Sequence, residues 1–194
     1  SRPYPVSILG QSVTAATGSV SRPMIALILL WVGAVLFLNG LWLLGRIGDR
    51  EIAVINFFVG GVTLLAALVS AFRGGATFDD IGFGALVLLF AFTYIWIGIN
   101  RFLQTDGRGL GWYSLFVAIT ALPISIELLR GATTTWDYWL GLNWLAWAVL
   151  WFLYWALLVP KRVGVQLVGV LTLAVGIATA WLPAYLLLRG YMAL

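Results

Sequence analysis

The sequence contains no cysteine and no histidine among its 194 residues. The absence of cysteine excludes disulfide bridges and thiol catalysis, and the absence of both excludes zinc or haem ligation by these side chains. Without histidine the chain also lacks the side chain that ordinarily titrates near neutral pH. We therefore expect no metal site, no cofactor and no imidazole-based pH switch.

Charged residues are also scarce, at 9%, whereas hydrophobic residues make up 62% and the mean hydropathy is +1.03. Six apolar stretches are each about 20 residues long, which is enough to cross a bilayer. The sequence therefore predicts an all-α integral membrane protein, with no nucleic-acid partner because its charges are spread over short loops. The expected spans 1 to 6 are residues 25–45, 52–72, 82–101, 111–130, 138–159 and 164–188.

No sequence pattern of an enzyme is present. There is no GxxxxGK(S/T) phosphate-binding loop, no GxSxG nucleophile turn and no histidine to activate a serine. An intramembrane aspartyl protease needs two aspartates inside spans, but Asp79 and Asp80 are predicted in a loop, as are Asp49, Asp106 and Asp137. We expect a protein that is not an enzyme.

Ionisable residues are nearly absent from the span centres, which argues against pumps and ion-coupled transporters because these bury such residues as relays. Glu127, near the outer end of span 4, is the exception. Its carboxylate either reaches the interface and meets Arg130 at i+3, or lines the mouth of a pathway. Two functional interpretations remain, a conduit for a small uncharged solute and a passive structural bundle.

Basic residues in the loops predict the orientation. The loops after spans 1, 3 and 5 carry six, whereas the other two loops and the C-terminus carry three. The first group is therefore expected in the cytoplasm and both termini outside it, although Arg2 and Arg22 weaken the asymmetry. The six are Arg46, Arg50, Arg101, Arg108, Lys161 and Arg162, and the three are Arg73, Arg130 and Arg189.

The chain divides into two parts. Residues 1–23 are polar and rich in Ser, Thr and Pro, and are predicted to form an extracytoplasmic arm. Residues 24–194 form the six-helix domain, in which short loops imply three tandem hairpins. A weak repeat of about 60 residues supports this arrangement, since Asn39 and Asn100 end spans 1 and 3 at matching places. Small residues in spans 2 and 6 predict close helix packing at Gly60, Gly61, Gly164, Gly169 and Gly176.

Four tryptophans form a stripe along span 5: Trp144, Trp147, Trp151 and Trp155. At 100° per residue, their offsets place all four within about 80° of one helix face. Tryptophan in a span usually marks the interface, yet Trp144 to Trp151 lie at mid-depth. The stripe is therefore either ordinary helix packing or the lining of a passage.

An aromatic lining would suit a planar amide. Such a solute can stack on an indole while its edges bond to Asn, Tyr or the Trp N–H. Span 3 offers Phe90 and Tyr94 on one face, and span 1 offers Leu29, Leu36 and Asn39.

At these residues the chain resembles the AmiS/UreI family of urea and short-chain amide channels. Matching runs occur in all six spans and cover nearly everything from Met24 onward. They are Trp31–Gly40, Val54–Gly61, Leu89–Tyr94, Trp112–Ala118, Asn143–Trp151 and Thr179–Tyr185.

The resemblance implies a twisted six-helix protomer around its own pore, arranged as a hexameric ring with lipid in the centre, in the bacterial inner membrane. It also implies passive passage of urea or short amides. By position, the family's constrictions fall on Leu36, Phe90, Tyr94, Leu150 and Trp151. Trp144 and Trp147 would line the way further out, Ile25 and Leu29 would lie at the outer mouth, and Asn39 would offer an inner polar contact.

Two departures favour the amide-transporter branch of the family. Acid-gated members use periplasmic histidines, which this chain lacks, so no acid gating is expected. They also carry a glutamate in span 6 where this chain has Val175, whereas Glu127 within Ile126–Leu128 is similar to the amide branch. The alternative to a channel is an accessory membrane subunit that keeps the fold and uses its N-terminal arm to bind a partner.

Overall fold

The computed structural model describes residues 22–192, and all secondary structure in that range is helical. Six helices are long and apolar enough to span a membrane. The first five spans are α1 (Arg22–Leu43), α2 (Asp49–Phe72), α3 (Phe78–Leu103), α4 (Arg108–Gly131) and α5 (Thr135–Leu158). The sixth span, Val165–Leu188, comprises α6 (Val165–Val175), a π-helical segment (Gly176–Trp181) and α7 (Leu182–Leu188). The prediction of an all-α protein with six spans is confirmed.

Five of the six spans begin three or four residues earlier than predicted, because their first turns include polar residues, charged residues or glycine. Asp49 lies in the first turn of α2, Asp79 and Asp80 lie in that of α3, and Asp137 lies in that of α5. The assignment of these four aspartates to loops was therefore wrong. Asp80 and Thr77 form a capping box, as do Asp137 and Thr134. A carboxylate is favourable there because it accepts from N–H groups that have no intrahelical partner.

The bundle closes into a ring because the sixth span packs along α1. The most extensive contacts join α2 to α3, α4 to α5, and α1 to the sixth span. Glycines permit the last of these: a Cβ on Gly33 would lie 2.6 Å from the backbone nitrogen of Trp181, and one on Gly176 would lie 2.7 Å from Cβ of Leu36. Lipid tails are as apolar as the helices themselves, so the hydrophobic effect does not drive helix association within a membrane. Close approach of the backbones instead provides the van der Waals contacts that hold the two helices together.

The predicted small-residue contacts are only partly present. Gly60 meets Ile95, and Gly169 meets the side chain of Leu43, so these two lie in tight helix contacts. A Cβ at Gly61 or Gly164 would meet nothing within 4 Å. The pattern of glycines predicted the helix contacts but not which neighbouring glycine would face the partner.

The sixth span is distorted at the π-helical segment, just before Pro183. Proline has no N–H, so the carbonyl of Thr179 loses its α-helical donor. The side-chain amide of Asn143 on α5 donates to that carbonyl at 3.2 Å. A polar side chain from a neighbouring helix thus satisfies the freed backbone group, as hydrocarbon surroundings require.

Large apolar side chains cover the outside of the bundle. Phe72, Phe58 and Leu65 are 80%, 64% and 64% exposed, which suits contact with lipid tails. The buried core draws residues from all six spans. Helix α1 begins at Arg22, inside the predicted arm, and the rest of that arm (1–21) lies outside the described residues.

Candidate functional site

A cavity of about 30 Å³ lies inside the bundle, which is room for a water molecule or two. Its wall is built from the inner faces of α3 and α5, which supply four residues each, and of α1 and α4, which supply two each. No charged side chain is among the residues of this wall. They are Leu36, Asn39, Phe90, Thr93, Tyr94, Ile97, Leu110, Ser114, Trp147, Leu150, Trp151 and Tyr154.

Phe90 is the centre of the aromatic part of the wall. Its ring makes edge-on contacts with Trp151 at 4.8 Å, Trp147 at 5.1 Å and Trp144 at 6.2 Å between centroids. T-shaped pairs of this kind contribute about 0.5–1.5 kcal/mol beyond the area they bury. Phe90 therefore holds α3 against α5 and narrows the space between these helices to a slot.

The four tryptophans of the stripe have different surroundings. Trp147 and Trp151 lie in the cavity wall. Trp144 is buried against Trp147 and Phe90 but is not part of that wall. Trp155 packs instead on Trp112 and Phe152.

Asn39 contributes a polar group that is already partly engaged. Its amide nitrogen donates to Oδ1 of Asn56 on α2 at 3.2 Å, and its oxygen accepts from Nδ2 of Asn56 at 2.7 Å. A side-chain amide has two hydrogens and two carbonyl lone pairs, so Asn39 keeps one of each for the cavity. The reciprocal pair also fixes the orientation of both amides.

Tyr94 differs from the other polar residues of the wall. Its side chain is 3% exposed, and its hydroxyl makes no hydrogen bond to any described residue. Ser114 donates to the carbonyl of Leu110, and the remaining polar groups of the wall bond to neighbouring helices. Tyr94 therefore supplies a free hydroxyl within an otherwise apolar slot.

The indole N–H groups are not free. Trp147 donates to Oγ1 of Thr179 at 2.8 Å, and Trp151 donates to Oγ1 of Thr93 at 3.3 Å. The expectation that a Trp N–H would bond to a solute was therefore wrong for these two rings. Each N–H is used inside the protein because an unpaired donor buried at this depth would be costly.

Four predicted site residues are outside the cavity wall. Leu29 and Trp144 are buried nearby, and Ile25 is half-buried. Glu127 is half-buried on α4, and none of the ion pairs between described residues includes it, so the pairing with Arg130 is not formed. Its place at a pathway mouth stays a prediction.

Five residues of the wall were not predicted: Thr93, Ile97, Leu110, Ser114 and Tyr154. Helical spacing could have found two of them, since Ile97 continues the face of Phe90 and Tyr94, and Tyr154 continues that of Trp147 and Trp151. No pattern in the sequence singled out Leu110 or Ser114 of α4 as wall residues.

Charged side chains lie at the ends of the helices. Arg73 bonds to the buried carboxylate of Asp80 at 2.7 Å, and Arg101 lies 3.6 Å from Asp49. No group of three acidic side chains among the described residues could hold a metal ion. The arrangement offers a permeating molecule aromatic faces, aliphatic walls and a few neutral polar atoms.

Comparison with known proteins gives consistent matches across the bundle. The profile of the AmiS/UreI family of transporters matches residues 24–191. The chain is 42% identical over 163 residues to a Mycolicibacterium smegmatis protein described as an amidate substrates transporter, covering 84% of this chain and 75% of that one. It is 36% identical to the acid-activated urea channel of Helicobacter pylori, covering 84% of this chain and 97% of the channel.

Solved structures agree with these matches. The crystal structure of the Helicobacter pylori urea channel superposes with a TM-score of 0.77 at 35% identity, covering 87% of this chain and 99% of that one. The cryo-electron microscopy structure of that channel in a closed state gives the same TM-score at 34% identity and the same coverage. With its six apolar helices, this protein is a multi-pass protein of a bacterial membrane. The chain belongs to the AmiS/UreI family of transporters.

Proposed function

We propose that the protein is a passive channel for urea and short aliphatic amides, with the cavity between α1, α3 and α5 as its selective section. The observation that carries this proposal is the composition of the wall: aromatic and aliphatic side chains with neutral polar groups and no charge. Relatives described as a urea channel and as an amidate substrates transporter support the choice of solute. We further propose that the chain catalyses no reaction, in keeping with its lack of a nucleophile–base pair.

Selection follows from the chemistry of the slot. A hydrated ion would have to give up its water without receiving substitute ligands, so the apolar walls exclude it. A neutral planar amide also gives up hydrating water, but the wall replaces those contacts. Its faces stack on Phe90 and Trp151 while its edges bond to Tyr94 and Asn39. The constriction is proposed at Leu36, Phe90, Tyr94, Leu150 and Trp151.

Passage requires side chains to move. The cavity of about 30 Å³ has room for one or two water molecules. Urea is larger than water, so the ring of Phe90 must separate from those of Trp147 and Trp151 as a molecule crosses.

The proposal also covers the oligomeric state of the protein and its topology in the membrane. We propose a hexameric ring in the bacterial inner membrane with lipid in its centre and both termini outside the cytoplasm. An open apolar groove between α1 and the sixth span, lined by Trp31, Phe37 and Trp181 among others, supports contact of this face with lipid or another protomer. We also propose that the arm predicted over residues 1–23, of which α1 includes the last two, lies outside the cytoplasm.

The decisive experiment is stopped-flow light scattering on liposomes that hold the purified protein. We expect urea and acetamide to equilibrate much faster than in empty vesicles, without any ion gradient. Sodium chloride should not cross faster than in empty vesicles. If urea and acetamide both crossed at the rate of empty vesicles, the channel would be refuted and an accessory role favoured.

A further inference from the structure

Three threonines from the helices around α5 each bind the polar atom of one aromatic side chain of the slot. Thr179 in the π-helical segment binds Nε1 of Trp147 at 2.8 Å, and Thr93 on α3 binds Nε1 of Trp151 at 3.3 Å. Thr172 on α6 lies 3.2 Å from the hydroxyl of Tyr154. All three aromatic residues line the cavity, whereas Thr179 and Thr172 do not.

The direction of these hydrogen bonds is set by the threonine backbone. Each hydroxyl donates to the carbonyl four residues earlier, at 2.6 Å for Thr179, 2.7 Å for Thr93 and 2.7 Å for Thr172. A hydroxyl has one hydrogen, so its oxygen is left to accept. The threonines therefore accept from the two indoles and the phenol, and they cannot donate to another group without breaking a buried bond.

Thr179 binds α5 twice. Its hydroxyl accepts from Trp147, and its carbonyl, freed by Pro183, accepts from the amide of Asn143 one turn away. The two bonds fix the rotamer of Trp147 and the height of α5 against the sixth span. Trp147 in turn contacts Phe90 at 5.1 Å, so the position of Thr179 determines one side of the slot.

We propose that Thr179 and Thr93 are positioning residues that set the selectivity of the channel by fixing two indoles and occupying their N–H groups. This inference rests on the proposed function. With the indole donors occupied, the wall presents ring surfaces to the solute and leaves the Tyr94 hydroxyl as a free polar contact. Loss of either threonine hydroxyl would release a donor into the slot and let the ring turn.

The test compares Thr179→Val, which removes the acceptor at nearly constant volume, with Thr179→Ser, which keeps it. Thr63→Val is the matched control, because Thr63 is fully buried and donates to the carbonyl of Val59 at 2.7 Å but receives no bond from an aromatic residue. Thr93→Val is the second, independent variant. Flux of urea and of acetamide is measured in proteoliposomes.

A second measurement does not depend on transport. Hydrogen exchange of the indole N–H groups is followed by NMR on protein labelled in its tryptophans, with the Trp147 signal assigned from Trp147→Phe. We expect that signal to exchange roughly tenfold faster in Thr179→Val, since a lost hydrogen bond of ordinary strength is worth about that factor. Thr179→Ser and Thr63→Val should exchange like the wild type.

In transport, Thr179→Val and Thr93→Val should each change the ratio of urea to acetamide permeability by about threefold or more. Thr179→Ser and Thr63→Val should preserve the ratio. If both valine variants kept the wild-type ratio, or if Thr63→Val changed it equally, the positioning role would be overturned. If the wild type passed neither solute, the proposed function would fail, and the exchange data would still report whether the indoles are held as described.

Discussion

Two consecutive turns of α5 carry tryptophans that look equivalent in sequence but have different surroundings. Trp151 lies in the cavity wall, contacts Phe90 and donates its N–H to Thr93. Trp155 packs on Trp112 and Phe152, and its buried Nε1 has no hydrogen-bond partner among the described residues. The difference teaches that the function of an aromatic stripe depends on the helices that face it.

The largest effect is expected from Phe90→Ala, which removes the ring that contacts Trp147 and Trp151 but not Trp155. The slot should widen, so flux should rise and selection between urea and larger amides should fall by roughly tenfold, as loss of a fitted apolar wall implies. Truncation of a buried Phe should also lower stability by about 3–5 kcal/mol. Stopped-flow permeability and thermal unfolding in detergent measure the two effects.

Leu153→Ala serves as the control for Phe90→Ala, because Leu153 lies on α5 beside the core but outside the cavity wall. It should lower stability without changing the ratio of permeabilities. An equal change of selectivity in both variants would mean that Phe90 acts by packing alone.

Trp151→Phe and Trp155→Phe test the comparison directly. Trp151→Phe leaves Thr93 without its donor and should cost about 1 kcal/mol of stability as well as altering selectivity. Trp155→Phe removes a buried donor that has no partner, so it should be neutral or slightly stabilising and leave flux unchanged. Thermal unfolding of the two variants side by side gives the sign of each effect.

This expectation would be contradicted if Trp155→Phe reduced flux as much as Trp151→Phe. The turn of α5 that carries Trp155 would then belong to the pathway, and the boundary of the selective section would move toward the C-terminal end of the helix.

A smaller effect is expected from Tyr94→Phe. The Tyr94 hydroxyl has no protein partner among the described residues, so its removal should leave stability nearly unchanged. Urea permeability should fall by roughly three- to tenfold, the value of one ordinary hydrogen bond. Tyr154→Phe is the matched control, because its hydroxyl bonds to Thr172 and its loss should affect stability more than solute preference. Unchanged urea flux in Tyr94→Phe would remove this hydroxyl from the selective section.

The smallest effect is expected from pH. The chain has no histidine, and the cavity wall carries no charged side chain. Flux should therefore vary by less than about twofold between pH 5 and pH 7, since no side chain there has an ordinary pKa in that interval. Flux measured in vesicles equilibrated at each pH tests this, and a steep rise on the acid side would contradict it.

The sequence predicted much of the candidate site, but unevenly. The stripe on α5 and the face of Phe90 and Tyr94 could be found because helical spacing is a local property. The threonines could not, because Thr93 is 58 residues from Trp151 and Thr179 is 32 residues from Trp147. A threonine in a span can form several kinds of hydrogen bond, and only the residues that surround it in the structure show which one it forms.

The same holds for the fold. Hydropathy predicted six spans, and a proline within a helix, such as Pro183 in the sixth span, frees a backbone carbonyl. The partner of that carbonyl, Asn143, became visible only in the structure. The helix starts were displaced because capping residues such as Asp80 extend a helix beyond its apolar part.

The sequence by itself determined that this protein spans a membrane, that its interior carries almost no charge and that one helix bears an aromatic face. These properties follow from composition and helix period, which act along the chain. Only the tertiary structure decided which tryptophans face the cavity, which groups hold their N–H atoms and how the sixth span closes the ring against α1. Those outcomes depend on packing and on the satisfaction of buried polar groups between distant segments, where a single neighbouring helix changes the role of a residue.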